Sequence, residues 1–460
     1  MHVHEDDTIA AIATAPGEGA LAVVRMSGGG SLRVGDTVFR GGGALREAAG
    51  HTLHVGRVVG LDAFPVDDVV VSVFRAPRSY TGEDIVEISC HGGRRVAESV
   101  LEVLIAAGAR AAEPGEFTRR AFLNGRMDLA QAEAVGDLIA ARSARAQRLS
   151  LEQLHGRLSS GVAGLRQELL SLCALLELDL DFADEGLDVV SDREATERAQ
   201  RLAQELHRLE NSFASGRLIR DGVLVVLAGL PNAGKSSVFN ALLQEERAIV
   251  THLPGTTRDS LEEQIAIDGI AFRLVDTAGL REPDNVAEEQ GIARSRSAVK
   301  SADVILYVVD SSIPHSAEEV PEPVMFRSKN QKVVLALNKT DLRMPSQVDE
   351  LERALSPVCS VFVSARNGQG LSELRSALLK SVGDLAGDDT VPLSNLRHLA
   401  AVQSALVSLE RGIESLRSGL THEFVASDLR ESAQALALIT GEVTSSDVLN
   451  DIFSRFCIGK

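Results

Sequence analysis

Tryptophan is absent and tyrosine occurs only twice in 460 residues, which leaves few aromatic platforms on which nucleic-acid bases could stack. Positive charge is also short: 47 Lys and Arg stand against 65 Asp and Glu, a formal net charge of -18. A chain this acidic does not hold nucleic acid by global attraction, so any such contact needs a local basic patch or a second protein. The cysteines Cys90, Cys173, Cys359 and Cys457 lie far apart with no C-x-x-C pair. That spacing argues against a zinc site or a disulfide framework and suits a reducing cytoplasm. No apolar run is long enough to span a bilayer. The start, "MHVHEDDTIA", lacks the basic-then-apolar pattern of a secretory signal. The expectation is a cytoplasmic protein without a membrane association.

What is present is a multidomain pattern, since 460 residues exceed one ordinary core. The first stretch mixes β-rich runs ("ALAVVRMSG", "VDDVVVSVFRAP", "EDIVEISCHGG") with glycine-rich turns and one helix, "RRVAESVLEVLIAAGA". From Asp128 the pattern becomes long amphipathic helix. Leu151, Leu154, Leu158, Val162, Leu165, Leu169, Leu172 and Leu176 recur at three- and four-residue steps and predict one continuous apolar stripe. The same periodicity returns at Leu396, Leu399, Val402, Leu406, Leu409, Ile413 and Leu416. Two such stripes need each other as cover, which makes the intervening section an insertion into a helical bundle. The expected fold is thus α/β plus all-α. Residues 1–122 form an N-terminal α/β domain, 123–218 and 383–460 the two parts of a helical domain, and 219–382 an inserted P-loop domain.

"VLVVLAGLPNAGKSS" is a buried strand, a glycine-rich loop and a helix start, and Gly229-x-x-x-x-Gly234-Lys235-Ser236 fits the P-loop spacing. Glycines let main-chain N–H groups wrap phosphates, helped by the positive end of the following helix. Asn232, Ala233, Gly234, Lys235, Ser236 and Ser237 are the expected contacts. Lys235 reaches the β- and γ-phosphates, and the Ser236 hydroxyl faces Mg²⁺. "FRLVDTAG" ends a strand with Asp276, placed to reach Mg²⁺, followed by Thr277, Ala278 and Gly279 near the γ-phosphate. The Asp268-Gly269 pair before it signals a hairpin. "VVLALNKTD" presents Asn338, Lys339 and Asp341, and "VFVSARNGQG" presents Ser364 and Ala365. The Asp341 carboxylate accepts two hydrogen bonds from guanine, where adenine would leave it unpaired. Together these resemble the motif set of Ras-like GTPases, which implies GTP rather than ATP.

Two departures qualify that resemblance. Leu280 stands where Ras-like proteins carry the glutamine that orients water, and no arginine finger precedes "PGTTRD". Hydrolysis then needs another carboxylate or amide and another positive charge. The acidic run Glu282, Asp284, Glu288 and Glu289 offers the first, or is simply a solvated surface.

"PNAGKSS", "IVTHLPGTTRD", "DTAGLRE", "YTGED", "HGG", "PGEFTRRAFLNGRMDLAQAEAV" and the terminal "FCIGK" together resemble the MnmE (TrmE) family of tRNA-modifying GTPases, from the first domain to the last residue. The resemblance implies an N-terminal domain that binds tetrahydrofolate and forms a homodimer, with a helical domain interrupted by a Ras-like G domain. It implies GTP contacts at Thr251, His252, Leu253, Pro254, Gly255, Thr256 and Thr257, with Thr257 joining Ser236 on Mg²⁺. It implies K⁺ held by Asn232 with Thr251, Leu253 and Thr256, a cation that takes the place of the arginine finger. Glu288 becomes the water-orienting carboxylate, with Glu289 the neighbouring alternative in register. Arg25, Glu87, Arg126 and Lys460 correspond to folate-contacting positions, for 5,10-methylene- or 5-formyl-tetrahydrofolate. Without the resemblance, Arg25 and Glu87 read as ordinary strand-end surface charges.

The function this implies is a potassium-stimulated GTPase that installs a (carboxymethyl)aminomethyl group on C5 of a tRNA wobble uridine. It works with an MnmG (GidA)-like flavoprotein in a heterotetramer, the partner bringing FAD and NADH. The rivals are a ribosome-associated or regulatory GTPase switch without modification chemistry, and a nucleotide-gated scaffold. The first normally carries a basic RNA-binding appendage, and none follows the G domain. The tail "SRFCIGK" predicts a helix capped at Ser445 or Ser446, with Val448, Leu449, Ile452, Phe453 and Phe456 on one face and Cys457 closing its last turn. Lipidation of Cys457 does not fit, because Gly459 and Lys460 break the prenylation pattern. The resemblance instead brings Cys457 near the chemistry.

Overall fold

The computed structural model describes residues 7–182, 190–247, 262–276, 296–325, 327–328, 331–342, 349–383 and 391–460. The chain divides into two compact units: residues 1–136, 153–199 and 407–460 form one, and 137–152 with 200–406 the other.

In the first unit the alternating runs become a seven-stranded sheet ordered β3-β4-β5-β6-β2-β1-β7. Its strands are β1 (Ile9–Ile12), β2 (Leu21–Ser27), β3 (Phe39–Gly41), β4 (Thr52–Val59), β5 (Pro65–Phe74), β6 (Ile85–His91) and β7 (Arg110–Ala111). Strand alternation sorts the side chains. Val24, Met26, Val71, Val73, Val86 and Ile88 point into the core, under α1 (Ser31–Val38) and α2 (Arg94–Ala106). The opposite face carries Leu21, Leu53 and Val55, at 67%, 72% and 78% exposed. At the β1 end that second face is covered by Phe117 of α3 (Glu116–Leu123), which packs with Ile9, Ala11 and Ala112.

The predicted stripe from Leu151 to Leu176 is not one helix. It is divided between α5 (Ala144–Leu154) and α6 (Arg157–Phe182) by a turn at His155 and Gly156. Hydrophobic spacing survives a two-residue turn, which is why periodicity alone does not reveal the break. α6 lies against the helix His422–Thr440: the Cys173 thiol donates to the Ala426 carbonyl at 3.5 Å, and Arg430 pairs with Glu177. Chain from either side of the P-loop section therefore packs together. The tail helix Ser446–Ser454 seats Leu449 and Phe453 on Leu129 and Ala132, at the start of α4 (Leu129–Ala140).

The second unit holds a six-stranded sheet, order β13-β12-β11-β8-β10-β9. These are β8 (Val223–Ala228), β9 (Glu262–Ile267), β10 (Ile270–Asp276), β11 (Val304–Asp310), β12 (Lys332–Asn338) and β13 (Cys359–Phe362). All neighbours are parallel except β9 with β10, joined by the Asp268-Gly269 turn. Nearly every residue of β8, β11 and β12 is buried, as parallel strands covered on both faces require. Two ion pairs fasten neighbouring helices to this sheet. Arg145 of α5 pairs with Asp268 at 2.6 Å, and Arg217 of α7 (Asp192–Asp221) with Asp303 at 2.6 Å.

Candidate functional sites

The P-loop leaves the carboxyl end of β8 and enters α8 (Lys235–Arg247). Open parallel sheets hold ligands at that edge. Lys235 is 8% exposed, and its ammonium donates to the carbonyls of Gly229 and Leu230 at 3.0 and 2.9 Å. The loop thus folds around its own cation. Gly234 has φ +91°, and a Cβ there would sit 2.2 Å from Asn338 Nδ2, so no larger residue fits. Asn338 stitches three motifs together, donating to the Ala233 carbonyl at 3.0 Å and accepting from the Ala365 amide at 3.1 Å. Ser364 donates to Asp341 Oδ1 at 2.7 Å and holds a carboxylate that otherwise faces solvent.

The Ser236 hydroxyl lies 2.6 Å from Asp276 Oδ2. A hydroxyl and a carboxylate side by side at the foot of the loop are hard-oxygen donors of the kind that could hold Mg²⁺. Asn232 sits at the loop's apex with φ +62°, and Ser237 follows on exposed helix surface. The remaining expected residues lie outside the described residues: Thr251, His252, Leu253, Pro254, Gly255, Thr256, Thr257, Thr277, Ala278, Gly279 and Glu288.

The second candidate site is on the sheet of the other unit. Arg25 and Glu87 are direct cross-strand partners on β2 and β6. Arg25 Nε meets Glu87 Oε1 at 2.7 Å, with side chains 15% and 23% exposed. They are a half-buried pair in mid-strand, not the strand-end surface charges that the pattern alone suggests. The Arg25 guanidinium also lies 5.4 Å from the Tyr80 ring centroid and 5.8 Å from that of Phe117. Lys460 joins this group. Burial, then the charge of Arg25, holds its ammonium below the usual lysine range, while Glu87 and Cys457 pull the other way. Gly459 lets the tail reach there: its φ is +95°, and a Cβ would come within 2.5 Å of the Ile12 carbonyl.

Cys457 does not close the tail helix. The tail helix stops at Ser454, capped by Ser445 at its start, so Cys457 lies beyond it rather than in its last turn. The carbonyl of Cys457 instead accepts from the Gly115 and Lys460 amides at 3.4 and 3.3 Å, and its side chain is exposed. The apolar face did its work one turn earlier, at Leu449 and Phe453. The Arg126 side chain is exposed, and its stem passes Gly82.

The MnmE helical domain family matches residues 129–457, and the family described as GTP-binding protein TrmE N-terminus matches residues 8–126. The tRNA modification GTPase MnmE of Chlorobium chlorochromatii is 44% identical over 99% of this chain and 98% of its own. That of Chlorobaculum tepidum is 44% identical over 98% and 97%. The chain belongs to the MnmE family. Among solved structures, the G domain of the T. maritima FeoB iron transporter is 31% identical over 35% of this chain and 98% of its own, with a TM-score of 0.26.

Several residues of this MnmE-family chain play parts that sequence reasoning did not assign. Asp310 ends β11 and takes the Lys339 ammonium at 2.6 Å. Burial pushes the Asp310 carboxyl up, but Lys339 and the Ser312 hydroxyl and amide outweigh that and hold it below the usual range. An acid at the carboxyl end of a parallel strand was the available signal. Tyr80 and Phe117 were inside quoted motifs, yet nothing local ties either to Arg25.

Proposed function

We propose that this MnmE-family GTPase takes part in building a (carboxymethyl)aminomethyl group on C5 of the tRNA wobble uridine, with a reduced folate giving the one-carbon unit. The observation that carries the folate part is the Arg25–Glu87 pair with Lys460 beside it. Arg25 occupies one oxygen of Glu87, and the other is left to accept from the ring N–H and 2-amino group of a pterin. Arg25, Lys460 and Arg126 suit the carbonyl and anionic parts of the same molecule. When bound, 5,10-methylene- or 5-formyl-tetrahydrofolate supplies the one-carbon unit; the chain's own residues hold it and exclude water. Cys457, three residues before Lys460, is the thiol this reading brings near that chemistry.

At the P-loop, Lys235 exchanges loop carbonyls for phosphate oxygens, and Ser236 with Thr257 and Asp276 suits Mg²⁺. Asp341, steadied by Ser364, reads guanine. Asn232 with Thr251, Leu253 and Thr256 would hold K⁺, and Glu288 would orient water. The cation does there what an arginine finger does elsewhere.

The exposed Leu21, Leu53 and Val55 lie on the same sheet face as Arg25 and Glu87, which supports a homodimer formed through the N-terminal domain. A net charge of -18 favours a division of labour in which an MnmG-like flavoprotein, carrying FAD and using NADH, provides much of the tRNA surface. No helix among the described residues is long and apolar enough to cross a membrane, in keeping with a cytoplasmic place of work. The domains in this reading are 1–122, 123–218, 219–382 and 383–460.

The deciding experiment is nucleoside analysis of tRNA from a strain lacking this gene, complemented with wild type or Lys235→Ala. Loss of the modified wobble uridine, restored only by wild type, is expected; unchanged uridines in the deletion strain reject the proposal. Replacing K⁺ by Na⁺ tests Asn232 separately, with slower GTP hydrolysis expected in wild type and no ion preference in Asn232→Ala.

A further inference from the structure

We infer that Arg120 is a positioning residue for the Arg25–Glu87 pocket, acting through Glu83 to fix the Tyr80–Glu83 turn so that Tyr80 and Phe117 clasp the Arg25 guanidinium. The inference rests on the folate reading of that pocket. Arg120 is 4% exposed. One of its terminal nitrogens donates to the Asp7 carbonyl at 2.9 Å and to both oxygens of Glu83 at 3.3 Å. The other bonds the Asp7 carboxylate, and Glu116 at 3.1 Å.

Glu83 is the link from this cluster to the pocket. Its carboxylate accepts from the Ser27 hydroxyl at 2.7 Å, and Ser27 lies two residues beyond Arg25 on the same strand. Ser27 also meets Thr81 Oγ1 at 2.6 Å, and the Ser79 hydroxyl donates to the Glu83 carbonyl at 2.6 Å. Tyr80 is therefore bracketed on both sides by bonds that end at Glu83 or β2. Its phenol meets Thr118 at 2.8 Å. α3 thus carries the lock (Arg120), the phenol's partner (Thr118) and the second ring (Phe117) on one short helix.

A buried charged cluster is a costly way to fix a turn, because apolar packing of the same volume is often at least as stable. Charged groups in this position hold direction and register. Two rings against the Arg25 guanidinium restrict a side chain that otherwise has many rotamers, and leave its Nε set against Glu87.

The two tyrosines and absent tryptophan give a direct readout. In the full chain carrying Tyr307→Phe, Tyr80 is the only tyrosine. Burial pushes its phenol above the ordinary range, against the pull of Thr118 and Arg25. Glu83→Gln and Arg120→Lys, each close in size to the residue replaced, should bring Tyr80 ionisation, followed by phenolate absorbance, back toward the ordinary value. The same variants should weaken binding of 5-formyl-tetrahydrofolate about 10-fold while GTP turnover by the same protein stays within about twofold. Tyr80 ionisation unmoved in both variants overturns the lock, as does a moved phenol with undiminished folate affinity. A wild-type chain that fails to take up 5-formyl-tetrahydrofolate sinks the folate reading and the lock together. Variants that bind as wild type does sink only the lock.

Discussion

The P-loop unit and the Arg25–Glu87 unit assemble their candidate sites in opposite ways. In the first, main chain does much of the work: a loop between one strand and one helix wraps Lys235, and Asn338 ties that loop to two neighbouring loops at the same sheet edge. In the second, the cluster is made of side chains, and they come from β2, β6, the Tyr80 turn, α3 and Lys460. Main-chain binding fixes spacing in sequence, whereas side-chain binding fixes only positions in space. The first kind of site is therefore robust to its surroundings and brittle at single residues. The second should fail in smaller steps.

The sharpest way to break that contrast is Lys235→Ala. Removing the enclosed cation from the loop should lower kcat/KM for GTP by roughly 10²–10³-fold, measured as phosphate release. Hydrolysis within threefold of wild type would mean that the loop amides suffice alone. Asp341→Asn should come next. An amide cannot accept both guanine donors and adds an N–H where a donor already points, so GTP affinity should fall by at least about 10²-fold while ATP affinity does not rise. Equal affinity for GTP in the variant would remove Asp341 from base recognition.

The same contrast explains how much was readable from residues alone. The strand–loop–helix context of "VLVVLAGLPNAGKSS" and the Asp268-Gly269 hairpin stand in the structure where the pattern puts them. Arg25 and Glu87 did not disclose themselves, because alternation says which face a side chain takes but not which residue stands opposite. Only the β2–β6 register brings them together. Tyr80 and Phe117 are further still, since a turn and a helix must both dock before either ring meets Arg25. The divided stripe at His155 and Gly156, and Cys457 lying past the helix end, share another cause: apolar spacing marks what is buried, not where a helix stops.

Glu87→Gln tests the side-chain site at its centre. The variant keeps the shape and loses the charge that pairs with Arg25, so binding of 5-formyl-tetrahydrofolate should weaken about 10–100-fold, measured by calorimetry. GTP turnover in the same protein should be unchanged. A parallel loss of GTP turnover would show the two sites to be one coupled machine under these conditions, and the contrast drawn above would fail.

The smallest effect belongs to Lys460 and concerns pH. Burial and the charge of Arg25 hold its ammonium below the ordinary 10.5, against Glu87 and Cys457. The docked tail thus carries fewer protons than a free one between the lowered value and 10.5. Docking therefore strengthens as pH rises through that window and weakens as pH falls through it. A fluorophore on the exposed Cys457, in a Cys359→Ser background where the other two cysteines are buried, reports tail freedom by anisotropy. Mobility should fall by about twofold or less on going from neutral to alkaline pH, and Lys460→Gln should flatten the response. A tail that loosens as pH rises would reverse the sign and place the attraction to Glu87 above the cost of burial.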